Sequence, residues 1–353
     1  MRQLSRSWAW VKARTDKHRA NVAVWCAPFV VIGPHGPGVS PLDALLKKRV
    51  VLVTGKGGVG RSSVTAAAAT VAQRRGVRVL VCEIGDDPAD YSPLARHFGR
   101  ERLPLSPEPI AAGVLGALLL ARSGQELFLK SVLRSGTLAR AALSSDALRR
   151  LLSAGPSFKE MGVFFQLLTY LRSRRDDGQL AYQLILIDMP ATGHTLSLTG
   201  LPELLLRLVP RGPIAAALRE GQSYLNDPAL ASAYVVAIAE TLPVSECLEL
   251  LEGLKKTAMP TGGVLMNRVP VDPFTASERA ALEEVIGRVN PLGGEGFLKP
   301  VLARREIARL RANTELPITL IPEMPQAGLM GSIADALIKG DKVPMPQAQG
   351  RVA

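Results

Sequence analysis

Residues 50–67 read VVLVTGKGGVGRSSVTAA, and eight of them have the types and spacing to hold phosphate. Glycines at 55, 57, 58 and 60 tolerate backbone torsions that other residues resist, so successive N–H groups can turn toward a single anion. A helix beginning near Arg61 adds its positive end at the same place. Gly55 to Ser62 follow the G-x-x-x-x-G-K-[ST] spacing except at Arg61, which stands where a lysine reaches the terminal phosphates. Ser62 is the hydroxyl expected on a divalent cation. Lysine supplies a slim, flexible point charge, whereas arginine supplies a wide planar fork. Phosphate affinity is therefore expected to survive, with the geometry of phosphoryl transfer impaired and each 1.36 kcal/mol lost slowing the rate about tenfold.

Such a loop works only between a buried strand and a helix, and the flanking sequence supplies both. Residues 49–54 form a β-branched run suited to a strand covered on both faces, and 62–75 are alanine-rich and helical, stopped by Gly76. Further buried strands are expected at 77–84, 182–188, 233–239, 262–267 and 316–322, with helices at 245–256, after the Thr275–Glu278 capping box, and near 327–339. This alternation predicts an α/β fold with a doubly wound, mostly parallel sheet, whose ligands sit at the carboxyl ends of its strands. The roughly 90 residues between the second and third strands exceed an ordinary crossover. They read as helical, including the apolar stretch 110–121 and the helically spaced Met161, Phe164, Phe165, Leu168 and Leu171.

Composition narrows the function classes. The 353 residues carry a net charge of +12, to which residues 1–40 contribute six basic side chains against Asp16 alone. Aromatic residues are only 5%, and no basic stripe is interleaved with them, which makes nucleic-acid recognition the weaker reading. Cys26, Cys82 and Cys247 form no C-x-x-C pair, an arrangement that suits a reducing cytoplasm and offers no structural zinc site. The apolar runs are shorter than the roughly 20 residues that cross a bilayer as a helix. The expected organisation is a basic extension outside the fold over 1–45, one nucleotide-binding domain over 46–340 with a helical subdomain at about 93–180, and a flexible tail over 341–353.

Lys56, directly after the first glycine, makes the loop more specific. The form K-G-G-V-G-[KR]-[ST] resembles the deviant P-loop of the family that includes MinD, ParA, the nitrogenase iron protein and the arsenical-pump ATPases. DMPATGHTL, residues 188–196, is similar to the switch II segment of the ArsA/GET group within it, the arsenite-pump and tail-anchored-protein-targeting ATPases, and the chain resembles its bacterial branch. The resemblance spans about 46–340 and implies a P-loop NTPase fold with a helical insertion between switch I and switch II. It also implies ATP/ADP and Mg²⁺ as ligands. Gly55, Lys56, Gly57, Gly58, Val59, Gly60, Arg61, Ser62 and Ser63 would form the cradle, with Ser62 and Asp188 at the metal. Gly193 would offer its N–H to a γ-phosphate beside His194, and Asn267 would contact the adenine. As the residues themselves read, an asparagine ending a strand is equally a turn former. Lys56 would reach across a dimer, a homodimer or a heterodimer with a paralogous ATPase, toward the partner's nucleotide.

Three departures qualify the resemblance. Arg61 replaces the lysine. In residues 82–99, CEIGDDPADYSPLARHFG, Asp87 positions the attacking water if the segment is aligned on D-P-A. Alignment on the strand end puts Gly85 there instead, and Asp86, Asp87 and Asp90 serve equally as loop caps. Cys82 and Cys247 do not build the soft thiolate site that arsenite needs. The expected function is a slow, dimeric Mg-ATPase whose helices bind a hydrophobic or membrane-protein client; Lys56, Arg61, Asp87 and Asp188 carry the chemistry. Its alternative is a non-hydrolysing nucleotide-binding partner or scaffold for an active paralogue. A ParA-like role on DNA or membranes rests only on the basic excess and the loop.

Overall fold

The computed structural model describes residues 30–32, 41–124, 127, 156–190, 193–208, 210–289, 294–324 and 329–339. Within them nine strands form one sheet: β1 (Val30–Ile32), β2 (Val50–Gly55), β3 (Val79–Gly85), β4 (Glu108–Ala111), β5 (Val114–Leu120), β6 (Leu184–Asp188), β7 (Ala231–Ile238), β8 (Thr261–Val269) and β9 (Ile318–Pro322). Their spatial order is β1-β9-β8-β7-β2-β6-β3-β5-β4. The pairs β1–β9 and β4–β5 are antiparallel and the other pairs parallel.

The central strands are continuous apolar runs because helices cover both of their faces. Side chains alternate between two cores, with Val50, Leu52, Ile185 and Ile187 entering one and Val51, Val53, Leu184 and Leu186 the other. Against the second core lie α1 (Pro41–Leu46), α2 (Arg61–Arg74), α3 (Pro93–Arg96) and α10 (Leu329–Lys339). Facing the first are α4 (Pro156–Arg172), α5 (Gly193–Leu208), α6 (Pro213–Leu225), α7 (Thr241–Lys256) and α9 (Gly294–Ala312), while α8 (Ala276–Val289) follows β8. α2 buries Val64, Thr65, Ala66, Ala67, Ala68, Ala69, Val71 and Ala72, so its alanines let it lie close on the sheet. This is the doubly wound architecture of the P-loop NTPases. The chain leaves β2 toward β3 on one side and returns through β7 on the other, which opens a crevice at the carboxyl end of β2.

Two expectations need correction. Of the stretch 110–121, residues 110–120 are not helical: β4 and β5 form a hairpin there, and β5 pairs in parallel with β3. A strand buried on both faces has the same unbroken hydrophobicity as a buried helix, and the deciding signal is Gly113 at φ 70° in the turn. Nor does everything before residue 46 lie outside the fold. Val30–Ile32 pair with Ile318–Leu320 of β9, and α1 buries Leu42 and Leu45 in the core. Residues 1–29 and 341–353, and 128–155 of the expected helical insertion, lie outside the described residues. Among the described residues no helix is long and apolar enough to cross a membrane.

Candidate functional site

The glycine loop sits at the end of β2 between two neighbours that leave no room for a side chain. A Cβ on Gly55 would stand 2.3 Å from the Val236 carbonyl of β7, and one on Gly60 would stand 2.3 Å from Nδ2 of Asn267. Gly60, at φ 89°, then hands the chain into α2 at Arg61. Asn267 Nδ2 donates to the Val59 carbonyl at 2.9 Å, and the Arg268 guanidinium donates to the carbonyl of Gly58.

At the head of α2 the expected pair is formed. Ser62 Oγ donates to Asp188 Oδ2 at 2.5 Å, and Asp188, the last residue of β6, is only 5% exposed. Its other oxygen, Oδ1, is buried without a hydrogen-bond partner. Burial raises this carboxyl to about 7, with the Ser62 hydrogen bond and the Arg61 charge pulling it down and Glu83 pushing it up. A hydroxyl beside a carboxylate with one unsatisfied buried oxygen fits the hydration shell of a hard divalent cation such as Mg²⁺.

Arg61 does not extend freely from the loop. Its guanidinium donates to the Met189 carbonyl, one residue past Asp188, in the field of Asp188 and Glu83. Burial lowers its proton affinity while the two carboxylates raise it. Glu83 pairs directly with Asp188 across β3 and β6, and it accepts hydrogen bonds from Ser92 Oγ (2.7 Å) and Leu94 N–H (3.2 Å), which caps α3. Sequence reasoning missed Glu83, although a single acid near the end of an apolar strand is a visible signal.

Lys56 projects to the other side. Its ammonium lies 2.8 Å from Glu246 of α7; the lysine side chain is half exposed, and hydrogen bonding to Glu246 raises its proton affinity. Glu246, set in an amphipathic helix, carries no sequence signal of this pairing. Asp87 lies beyond the end of β3 and is exposed; its Oδ1 accepts the Ala89 N–H at 2.7 Å, and its own N–H donates to Asp90 Oδ2 at 3.1 Å. The structure thus gives it a turn-forming role and does not bring it to Ser62 and Asp188. Ser63 Oγ lies 3.1 Å from His97 Nε2. Gly193 is the first residue of α5, while Ala191, Thr192 and the side chain of His194 fall outside the described residues. A buried 2.7 Å hydrogen bond between the hydroxyls of Thr54 and Thr195 ties this first turn to the floor of the loop.

Beside Arg268 a cavity of about 730 Å³ opens between β7, β8 and α9, lined in part by Ile238, Thr241, Pro270, Leu302 and Glu323. A second cavity, about 1080 Å³, lies at the opposite ends of the strands near Lys48, Ser232 and Leu316, away from the loop.

A glycine loop joining a central parallel strand to a helix, with a serine and a buried strand-end aspartate behind it, is the arrangement of the P-loop NTPase fold. Residues 48–211 match the family model of the anion-transporting ATPases. Over 236 residues the chain is 29% identical to the ATPase BagA of Mycobacterium tuberculosis and to the protein named Putative ATPase Mb3704 in Mycobacterium bovis. These matches cover 62% of this chain and 65% of each relative.

Proposed function

We propose that the chain binds Mg-ATP and hydrolyses it slowly, as a cytoplasmic, nucleotide-switched dimer. The observation that carries this reading is the Ser62–Asp188 pair at 2.5 Å with the orphaned Oδ1 behind it, at the mouth of the glycine loop. The loop N–H groups and the head of α2 bind the phosphates, and Ser62 and Asp188 hold the metal's water shell. Mg²⁺, when bound there, would neutralise charge on the transferred phosphoryl group. The cavity beside Arg268 takes the base, with the amide oxygen of Asn267 free to accept from it. Lys56 leaves Glu246 to reach the nucleotide of a second ATPase subunit, identical or paralogous, and Gly193 carries the nucleotide state into α5. A hydrophobic or membrane-protein segment is the client.

The occupied guanidinium of Arg61 favours a second reading, in which the chain binds nucleotide without hydrolysing it and serves as partner or scaffold. Calorimetric titration with ATP and ADP in Mg²⁺ tests the first step, and an absence of heat for both removes the nucleotide reading. Steady-state phosphate release by the wild type, Arg61→Lys and Asp188→Ala then separates the two readings. Activity that rises with lysine and disappears with alanine supports the slow ATPase; background in all three supports the scaffold.

A further inference from the structure

We propose that Asn267 and Arg268 form a clasp that preorganises the phosphate loop from behind, which makes Arg268 a positioning residue for phosphate binding; this rests on the nucleotide reading above. Three independent features of the backbone and side chains converge on these two residues.

The first is the sheet itself. β8 stays in register with β9 through Met266–Leu320 and regains it at Val269–Pro322, with a shift between them. Such an irregularity frees the intervening residues from the ladder and re-aims their side chains. The second is backbone conformation. Arg268 has φ 51°, one of two non-glycine residues with positive φ among those described. Arginine gains nothing locally from this left-handed conformation, so the surroundings must hold it there. The third is where the side chains go. Asn267 donates to the Val59 carbonyl at 2.9 Å, and Arg268 donates to the Gly58 carbonyl, so two consecutive residues bind two consecutive loop carbonyls.

The consequence follows from peptide geometry. In a planar trans peptide the carbonyl of one residue and the N–H of the next point in opposite directions. Drawing the Gly58 carbonyl toward β8 therefore turns the Val59 N–H away from it. Holding the Val59 carbonyl does the same for the N–H of Gly60. Glycines at 58 and 60, both at positive φ, leave the loop free to adopt other peptide orientations, so an external restraint is what fixes this one. The clasp thus aims two adjacent donors at the anion before it arrives, and the reorganisation that phosphate binding would otherwise require is already complete. Arg268 also lines the cavity beside the loop, so its guanidinium stands between that cavity and the phosphate cradle.

The test compares wild type, Arg268→Ala, Arg268→Gly and Arg268→Lys in Mg²⁺, by calorimetric titration with ATP and by competition with inorganic pyrophosphate, which requires only the cradle. Arg268→Gly relaxes the positive φ without restoring the bond, while Arg268→Lys keeps one donor for one carbonyl. The expected result is about tenfold weaker binding of both ATP and pyrophosphate in the alanine and glycine variants, with lysine recovering most of the loss. Unchanged pyrophosphate affinity alongside weakened ATP would place Arg268 at the base instead and overturn the clasp. Equal affinities in all four proteins would also overturn it while leaving the nucleotide reading intact. A wild type that binds neither ligand overturns both.

Discussion

The guanidinium of Arg61, the first residue of α2, donates to the main-chain carbonyl of Met189, the residue that follows the strand-end Asp188. This bond joins the glycine loop to the segment that resembles switch II, through the side chain that departs from the usual lysine. A lysine ammonium is a compact point charge on a flexible stem, whereas the wide arginine fork is held at the Met189 carbonyl and flanked by Asp188 and Glu83.

Restoring the lysine should therefore raise hydrolysis. Arg61→Lys is expected to increase the single-turnover rate about tenfold, equivalent to about 1.4 kcal/mol of transition-state stabilisation. ATP affinity should change little, because the charge is kept. A lysine variant no faster than the wild type would show that Arg61 is not what limits the chemistry.

Asp188 predicts an unusual pH dependence of stability in the absence of metal. Burial raises its carboxyl to about 7 from the ordinary 3.8, so between these values the folded chain holds a proton that the unfolded chain releases. The contribution of this group to stability is present below about pH 4 and declines as pH rises toward 7, by at most about 1.4 kcal/mol per unit. Asp188→Asn should remove this slope, stabilise the chain at pH 8 in chelator, and abolish the effect of Mg²⁺ on nucleotide affinity. Denaturant midpoints measured from pH 5 to 8 for both proteins decide it; parallel curves would refute the assignment.

The Lys56–Glu246 pair holds within its own chain the lysine that we propose reaches across a dimer. Glu246→Gln should release it and strengthen ATP-dependent self-association by up to about fivefold, the range open to a half-exposed ion pair. Lys56→Ala should leave nucleotide affinity of the monomer unchanged and prevent the ATP-dependent association. Sedimentation velocity in ATP and ADP provides the measurement, and equal dimer fractions for all three proteins would count against an intersubunit role for Lys56.

Arg279 anchors the region between β8 and α9. It bonds Asp272 through Nε (3.0 Å) and Nη2 (2.7 Å), donates to the Phe297 carbonyl at 2.9 Å, and lies 4.2 Å from the centre of the Phe297 ring. Arg279→Met should destabilise the fold by about 3 kcal/mol, because it strands a largely buried carboxylate. Arg304, which also bonds Asp272 at 2.8 Å, limits the damage. A shift in denaturant midpoint below that of an exposed control such as Arg207→Met would contradict this.

Local signals made most of the sheet legible in the sequence. β2, β3 and β6 to β9 were apolar runs bounded by turn residues, and the Thr275–Glu278 capping box is present as read, with Glu278 N–H donating to Thr275 Oγ1 at 3.3 Å. The hairpin at β4 and β5 was not, because hydrophobicity without alternation does not separate a buried strand from a buried helix. α7 begins at Thr241, earlier than expected, since Pro243 falls in the first turn where no intrahelical N–H is needed. At the site, the glycines and Ser62 were legible through the spacing of the loop, and Asp188 through the resemblance of its segment to switch II. Glu83, Glu246 and Arg268 did not, since each acquires its role only from a neighbour more than 100 residues away in sequence or on an adjoining strand. Asn267 was read as a base contact or a turn former, and the bond from its amide nitrogen to the loop was not foreseen.

The two margins of the sheet constrain how copies of this chain can meet. Among the described residues, β1 closes one side with three residues and β4 closes the other with four, each running against its neighbour. Short terminal strands of reversed direction are poor templates for continuing a parallel sheet into a second molecule. Lateral growth into ribbons or fibrils is disfavoured at both sides, which leaves the crest of the sheet, where the strands end and Lys56 is half exposed, as the face for the proposed association.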